Sequence, residues 1–194
     1  MKLRNALITA AIGSLFATLA FAQDASTAVQ RNVNQQTRIE QGLQSGQLNT
    51  REAGRLEREE AGVERMESKA LKDGTMTDAE KARINNAQNK VSQDIYREKH
   101  DAQTGNPNSA SSQRMQADVQ RNVNQQTRIE QGVKSGSLTN RETAKLERGQ
   151  AHVNRREARA AADGHVGAGE QRRVQVAENR QSGRVWRKKH NAAN

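Results

Sequence analysis

Apolar residues in this chain recur every three to four positions. Val29, Val33, Ile39 and Leu43 fall on one broad face, Leu56, Val63, Met66 and Ala70 on a second stripe, and Ile84, Ala87, Val91 and Ile95 on a third. That is the helical period, not the alternation of a strand. It predicts helices over about 28–44, 50–72 and 78–100. The ends carry matching signals. Thr27, followed three residues later by Gln30, predicts a capping box at the first start. Gly46 and Gly74 end the first two helices, because glycine accepts the left-handed conformation at low cost. Leu48 and Met76 then fold back on the helix just ended. Asn49 with Glu52, and Thr77 with Glu80, make capping boxes for the next helices. Short corners of this kind make antiparallel neighbours.

The whole pattern occurs twice. The run from Val29 to Gly42 returns unchanged from Val119 to Gly132, 90 residues later, and about half of all positions match over 29–103 and 119–193. A fixed period means one supersecondary unit used twice. Between the copies, 103–118 holds the only proline, Pro107, with Gly105 and several Asn and Ser, as a flexible linker would. The expected class is all-α: two tandem up-down-up three-helix bundles on a linker. The expected segments are a leader at 1–22, repeat one at 23–102, the linker at 103–118 and repeat two at 119–194. Each core is thin. Repeat two has Arg156, Ala161 and Gln181 where repeat one has Met66, Leu71 and Val91, so repeat two is expected to be the less stable alone. Its second corner, with Gly167, Ala168 and Gly169 before Glu170, lacks a good cap.

The first segment reads as a cleavable export signal. Lys2 and Arg4 precede an apolar run, and Ala20-Phe21-Ala22 is a small-x-small cleavage site. The run is shorter than the roughly 20 residues a membrane span needs. No other stretch is apolar enough, and there is no Cys, so neither a disulfide framework nor lipid attachment to a cysteine is expected. The expected location is periplasmic or secreted.

Charge separates the copies. The chain carries 32 Lys and Arg against 22 Asp and Glu. Repeat one, counted over 29–103, has 13 of each, whereas 119–194 has 16 basic and 7 acidic. Seven acidic positions have been replaced: Glu59, Glu60 and Glu64 by Gly149, Gln150 and Asn154, Asp78 by Ala168, and Asp94, Glu98 and Asp101 by Arg184, Lys188 and Asn191. Arg155, Arg156, Arg184, Arg187, Lys188 and Lys189, with Trp186, are therefore the candidate anion-binding set. Trp186 stands where repeat one has Tyr96, so packing of this aromatic against the bundle competes with stacking on a ligand. An envelope or extracellular anionic polymer, or lipid headgroups, would be the partner. The identical helix A block is a second candidate. Arg31, Asn34, Gln35 and Arg38, with Arg121, Asn124, Gln125 and Arg128, read as a shared polar surface for a protein partner, or as the trace of recent copying.

Catalytic signals are lacking. There is no cysteine nucleophile, no G-x-S-x-G elbow and no phosphate-cradling glycine loop, so no enzymatic activity is expected. His100 and His190 sit at helix ends, where a cation suits the dipole, and no HExxH or Cys/His cluster points to a transition metal.

Several stretches resemble small exported helical-repeat proteins of proteobacteria that lack an assigned activity: Arg38–Gly42, Ser45–Glu52, Leu56–Glu60, Asp73–Glu80 and Lys99–His100. Asn49 stands where that pattern has Thr, and Glu60 where it has Gln. The resemblance implies an export location and this architecture, not an activity. The corner Asp73–Glu80 is also faintly similar to the back half of an EF-hand loop, in which glycine makes the turn and the last Glu chelates calcium. Asp73, Thr75, Thr77 and Glu80 would be the ligands. Lys69 and Leu71 stand where that family has acidic ligands, as do Arg159 and Ala161 in repeat two. No cofactor is expected on the leading reading, with calcium as the alternative. The function expected is that of an exported binding or assembly protein, its basic repeat attached to an anionic polymer.

Overall fold

A computed structural model describes residues 13–191, with side chains from 24 onward. The leader expected over 1–22 lies outside the residues whose side chains are described. The described chain is all-α: α1 (Gly13–Ser45), α2 (Thr50–Ala70), α3 (Asp78–Lys99), α4 (Ala110–Lys134), α5 (Asn140–Ala160) and α6 (Ala168–Lys189). No described helix is long and apolar enough to cross a membrane.

The corners form as their residues dictate. Gly46, Gly74, Gly136 and Gly164 all take positive φ, from 72° to 101°. The Leu48 N–H returns to the Gly42 carbonyl at 2.9 Å and that of Leu138 to Gly132 at 3.0 Å. Capping boxes close on Asn49–Glu52, Thr77–Glu80 and Thr139–Glu142. At the weaker corner Glu170 still accepts the Gly167 N–H at 2.9 Å, half of a box.

Two expectations at helix starts fail. Thr27 lies within α1, which runs through it without a break, so Thr27 and Gln30 do not open a helix. α4 begins at Ala110, capped by the Ser109 hydroxyl, and takes up most of the expected linker. The remaining connection is tied down. The Gly105 N–H donates to the Gly46 carbonyl at 2.8 Å, and Gln116 Nε2 donates to the Pro107 carbonyl at 2.9 Å.

The largest correction concerns the two bundles. The most extensive helix pairings are α2 with α5 and α1 with α4, both between repeats, while α1 and α2 touch only lightly. α3 and α6 flank this centre. One apolar cluster joins Ile39, Leu43 and Leu56 to Met115, Val119 and Val174. The other joins Val29, Leu71 and Ile84 to Ile129, Leu146 and Val185. The contacts are reciprocal, as in a twofold dimer. Arg51 donates to the Asp163 carbonyl at 2.8 Å, and Arg141, its counterpart, to the Asp73 carbonyl at 3.0 Å. Gly54 lets α2 approach α5 closely: a Cβ there would stand 2.6 Å from that of Ala161. Each repeat thus covers an apolar face of the other.

Candidate functional site

The interior is polar to an unusual degree. In α2, Glu57, Glu60, Glu64 and Glu67 are spaced three, four and three apart, so they share one face. All four are fully buried, as are Glu147 and Glu157 opposite them in α5. Their donors come from the identical block. Asn32 Nδ2 donates to Glu67 at 2.7 Å and Asn122 Nδ2 to Glu157 at 2.6 Å. Gln36 donates to Glu57 at 3.0 Å and Gln126 to Glu147 at 3.2 Å. Some of these bonds cross between repeats: Gln126 reaches Glu64 at 2.8 Å, and Asn154 Nδ2 lies 3.0 Å from the same oxygen. Glu57 neighbours Glu157, and Glu67 neighbours Glu147, where α2 crosses α5.

Burial pushes Glu57 and Glu67 up to about 7. It drives Glu60, Glu64, Glu147 and Glu157 well above the usual carboxylate range, with neighbouring carboxylates adding to it. Asp118 rises to about 7 and Glu178 to about 8 for the same first reason. A low-dielectric interior disfavours the charged form. These carboxyls are all buried and offer no exposed face to a substrate.

The helix A block is thus not a shared binding surface. Gln35 and Gln125 are buried and donate to the carbonyls of Gln88 and Glu178 at 2.7 and 3.2 Å. Arg31 and Arg121, half-buried, donate to Asn89 and Asn179. Arg38 donates to the Ser92 carbonyl at 3.1 Å and Arg128 to the Ser182 hydroxyl at 2.8 Å. Of the eight residues only Asn34 and Asn124 are exposed. The spacing of the α2 glutamates was the sequence signal for this interior: four carboxyls on one helical face, opposite an unchanged set of amides.

The basic set divides. In repeat one Asp94 sits between Lys90 and Arg97 and pairs with both, and Lys90 also meets Glu59 at 3.5 Å. Repeat two has Arg180, Arg184 and Arg187 in those places, all exposed, with Gly149 for Glu59. No carboxylate pairs with the three among the described residues. Arg184 joins Arg155, Arg156 and Arg159 around His152, whose pKa is lowered by burial first and then by these four cations. Arg156, Arg159, Arg173 and Glu170 line a cleft between α5 and α6.

The rest of the set faces elsewhere. Lys188 is drawn to Glu142 at 3.4 Å. The stem of Lys189 lies beside Gly132. Trp186 is 57% exposed and stacks on His190 with centroids 4.7 Å apart, as Tyr96 does on His100 at 4.1 Å. The aromatics do not pack into the bundle. Gln150 and Asn154 are buried, so two of the seven acidic replacements belong to the interior and not to the basic face. A groove along the α2–α5 crossing, lined by Arg51, Arg55 and Arg58 with Ala158 and Ala162, was not foreseen, because it exists only where the repeats meet.

At the Asp73 corner the side chains serve the turn. Asp73 accepts the Thr75 N–H at 3.0 Å, and Glu80 accepts both the N–H and the hydroxyl of Thr77 at 3.0 and 2.7 Å.

No protein family, curated protein or solved structure matches the chain.

Proposed function

We propose that this is an exported, non-enzymatic protein that binds an anionic polymer through the basic α5–α6 face. The observation that carries the reading is the exchange of Asp94 for Arg184. Like charges one turn apart on a helix destabilise it by about 0.2–0.5 kcal/mol per pair, where opposite charges would stabilise it by as much. Repeat one shows the stabilising arrangement on the same scaffold. Repeat two gives it up and adds Arg156, in place of Met66, to Arg155 and Arg159, which match Arg65 and Lys69. A polyanion returns what the exchange costs, by pairing with guanidiniums that suit phosphate, sulfate or carboxylate groups.

The test is retention on immobilised dextran sulfate along a NaCl gradient. Arg184→Asp restores the repeat-one pattern, so it should leave the helix as stable or more so. It should also elute at clearly lower salt than the wild type. Unchanged elution would overturn the proposal. The interlocked repeats make this a better test than separating the halves.

A further inference from the structure

Where α3 ends, three carboxylates converge. Glu52 stands in the first turn of α2, Glu98 in the last turn of α3, and Asp101 just beyond it. One oxygen from each lies within 4.8 Å of the others. Glu52 is 1% exposed. Its Oε2 accepts the Asn49 N–H at 2.9 Å in the capping box, while its Oε1 is buried with no hydrogen-bond partner. Burial raises the Glu52 pKa, and Asp101 and Glu98 raise it further. Unpartnered buried carboxylate oxygens are costly, and here the nearest titratable neighbours repel.

The second repeat shows what this position takes. Glu142 occupies the place of Glu52, with Lys188 for Glu98 and Asn191 for Asp101. Lys188 Nζ lies 3.4 Å and Asn191 Nδ2 2.6 Å from Glu142 Oε1, the same oxygen that is bare on Glu52. Repeat two brings its own cation to the site, and repeat one brings two more carboxylates.

We propose that Glu52, Glu98 and Asp101 bind a calcium ion at the position the Lys188 ammonium fills in repeat two. The donors are all hard oxygens. Glu52 is fixed by its cap, while Glu98 is half-buried and Asp101 exposed, so these two adjust to the ion and leave room for water. Calcium accepts such loose sets of 6–8 oxygens, whereas magnesium demands a tight octahedron. Arg51 and Arg55 line the hollow beside Glu52; the Arg51 guanidinium is held by the Asp163 carbonyl, and Arg55 is exposed. Three carboxylates completed by water place the affinity on the order of 10⁻⁴–10⁻³ M. The site is separate from the Asp73 corner, and it does not depend on the basic face.

Calorimetric titration of the full chain with calcium chloride, alongside thermal unfolding at constant ionic strength, tests it. The wild type should give a saturable heat and a melting point that rises by a few degrees with calcium, with a smaller response to magnesium. Glu98→Lys writes the repeat-two residue into repeat one. It should abolish both responses and raise the melting point in the absence of calcium. Asp73→Asn should leave both intact. Absence of heat and shift in the wild type at about 10 mM calcium, well above the expected range, would overturn the proposal. So would a response that survives Glu98→Lys, or one that Asp73→Asn removes.

Discussion

Glu178→Gln should stabilise the protein, and by an amount that grows with pH. Glu178 is fully buried. Neither of its oxygens accepts a hydrogen bond, although Arg121 Nε lies 3.3 Å away. Burial first, and then Asp118, pushes its pKa up to about 8, against the lowering effect of Arg121. An unfolded Glu titrates near 4.3. Between these values the native state keeps a proton that the unfolded state releases, so stability is full below about 4.3 and is lost as pH rises toward 8. The slope is about 1.4 kcal/mol per pH unit for one proton. The accumulated loss by pH 8 is on the order of 4–5 kcal/mol, an upper figure because water entry relieves part of it. Glutamine removes the titration, and the other repeat shows that it fits. Gln88, at the equivalent position, donates to the Ala28 carbonyl at 3.0 Å and to Asn32 Oδ1 at 2.8 Å. Urea unfolding of both proteins from pH 4.5 to 9 measures the difference. The two curves should meet near pH 4.5 and part by several kcal/mol at pH 8.5. Parallel curves, or a variant less stable at pH 8.5, would refute the reasoning.

Other outcomes follow from the same interior. Because Glu57 and Glu67 are also raised, to about 7, the wild-type melting point should fall from pH 5.5 to pH 8.5. Asp94 and Glu142 are lowered, so their contribution is lost only below about pH 4, and a maximum at mildly acid pH is expected in calorimetry. Asn122→Ala leaves the Glu157 carboxyl without its 2.6 Å donor and should cost about 1–3 kcal/mol. Asn124→Ala, two residues away and exposed, should stay within about 0.5 kcal/mol; a reversed order in chemical denaturation would restore the surface reading of this block. Gly54→Leu drives a side chain into Ala161 and should cost at least about 1–3 kcal/mol by overpacking, read as a lowered urea midpoint with both repeats unfolding together.

Local structure was legible in the sequence because its causes are local. The glycine corners and the caps at Asn49, Thr77 and Thr139 depend on residues a few positions apart, and they stand where the pattern puts them. Association between repeats was not legible, because an apolar stripe says that a face is covered and not by what. The polar interior was hidden for a related reason. Glu57, Glu60, Glu64 and Glu67 look like solvated charges on a helix rich in arginine until α5 is laid across them. The acidic cluster at Glu52, Glu98 and Asp101 needed a third kind of information, the approach of the α3 end to the start of α2.

The duplication then takes on a different meaning. A segment copied for avidity would conserve its surface and let its interior repack. Here Asn32, Gln35 and Gln36 are identical to their copies and buried, while exposed positions such as Asp78 and Ala168 have diverged. The amides of this block are held in common because buried carboxyls depend on them in both repeats. Asn122 lies 3.4 Å from Glu57, Asn154 3.0 Å from Glu64, and Gln126 2.8 Å from Glu64, so repeat two supplies donors for the carboxyls of repeat one as well as for its own Glu157 and Glu147. Changing Asn122 or Gln126 takes a donor from a carboxyl in both repeats, and a stranded buried carboxyl costs more than most surface changes. The flanking helices carry no such constraint. α3 and α6 pack on the outside, and their outer faces are free to become, in one copy, an ion-paired surface and, in the other, a row of arginines. The fused dimer thereby separates the amides that both repeats must keep from the outer faces that they need not.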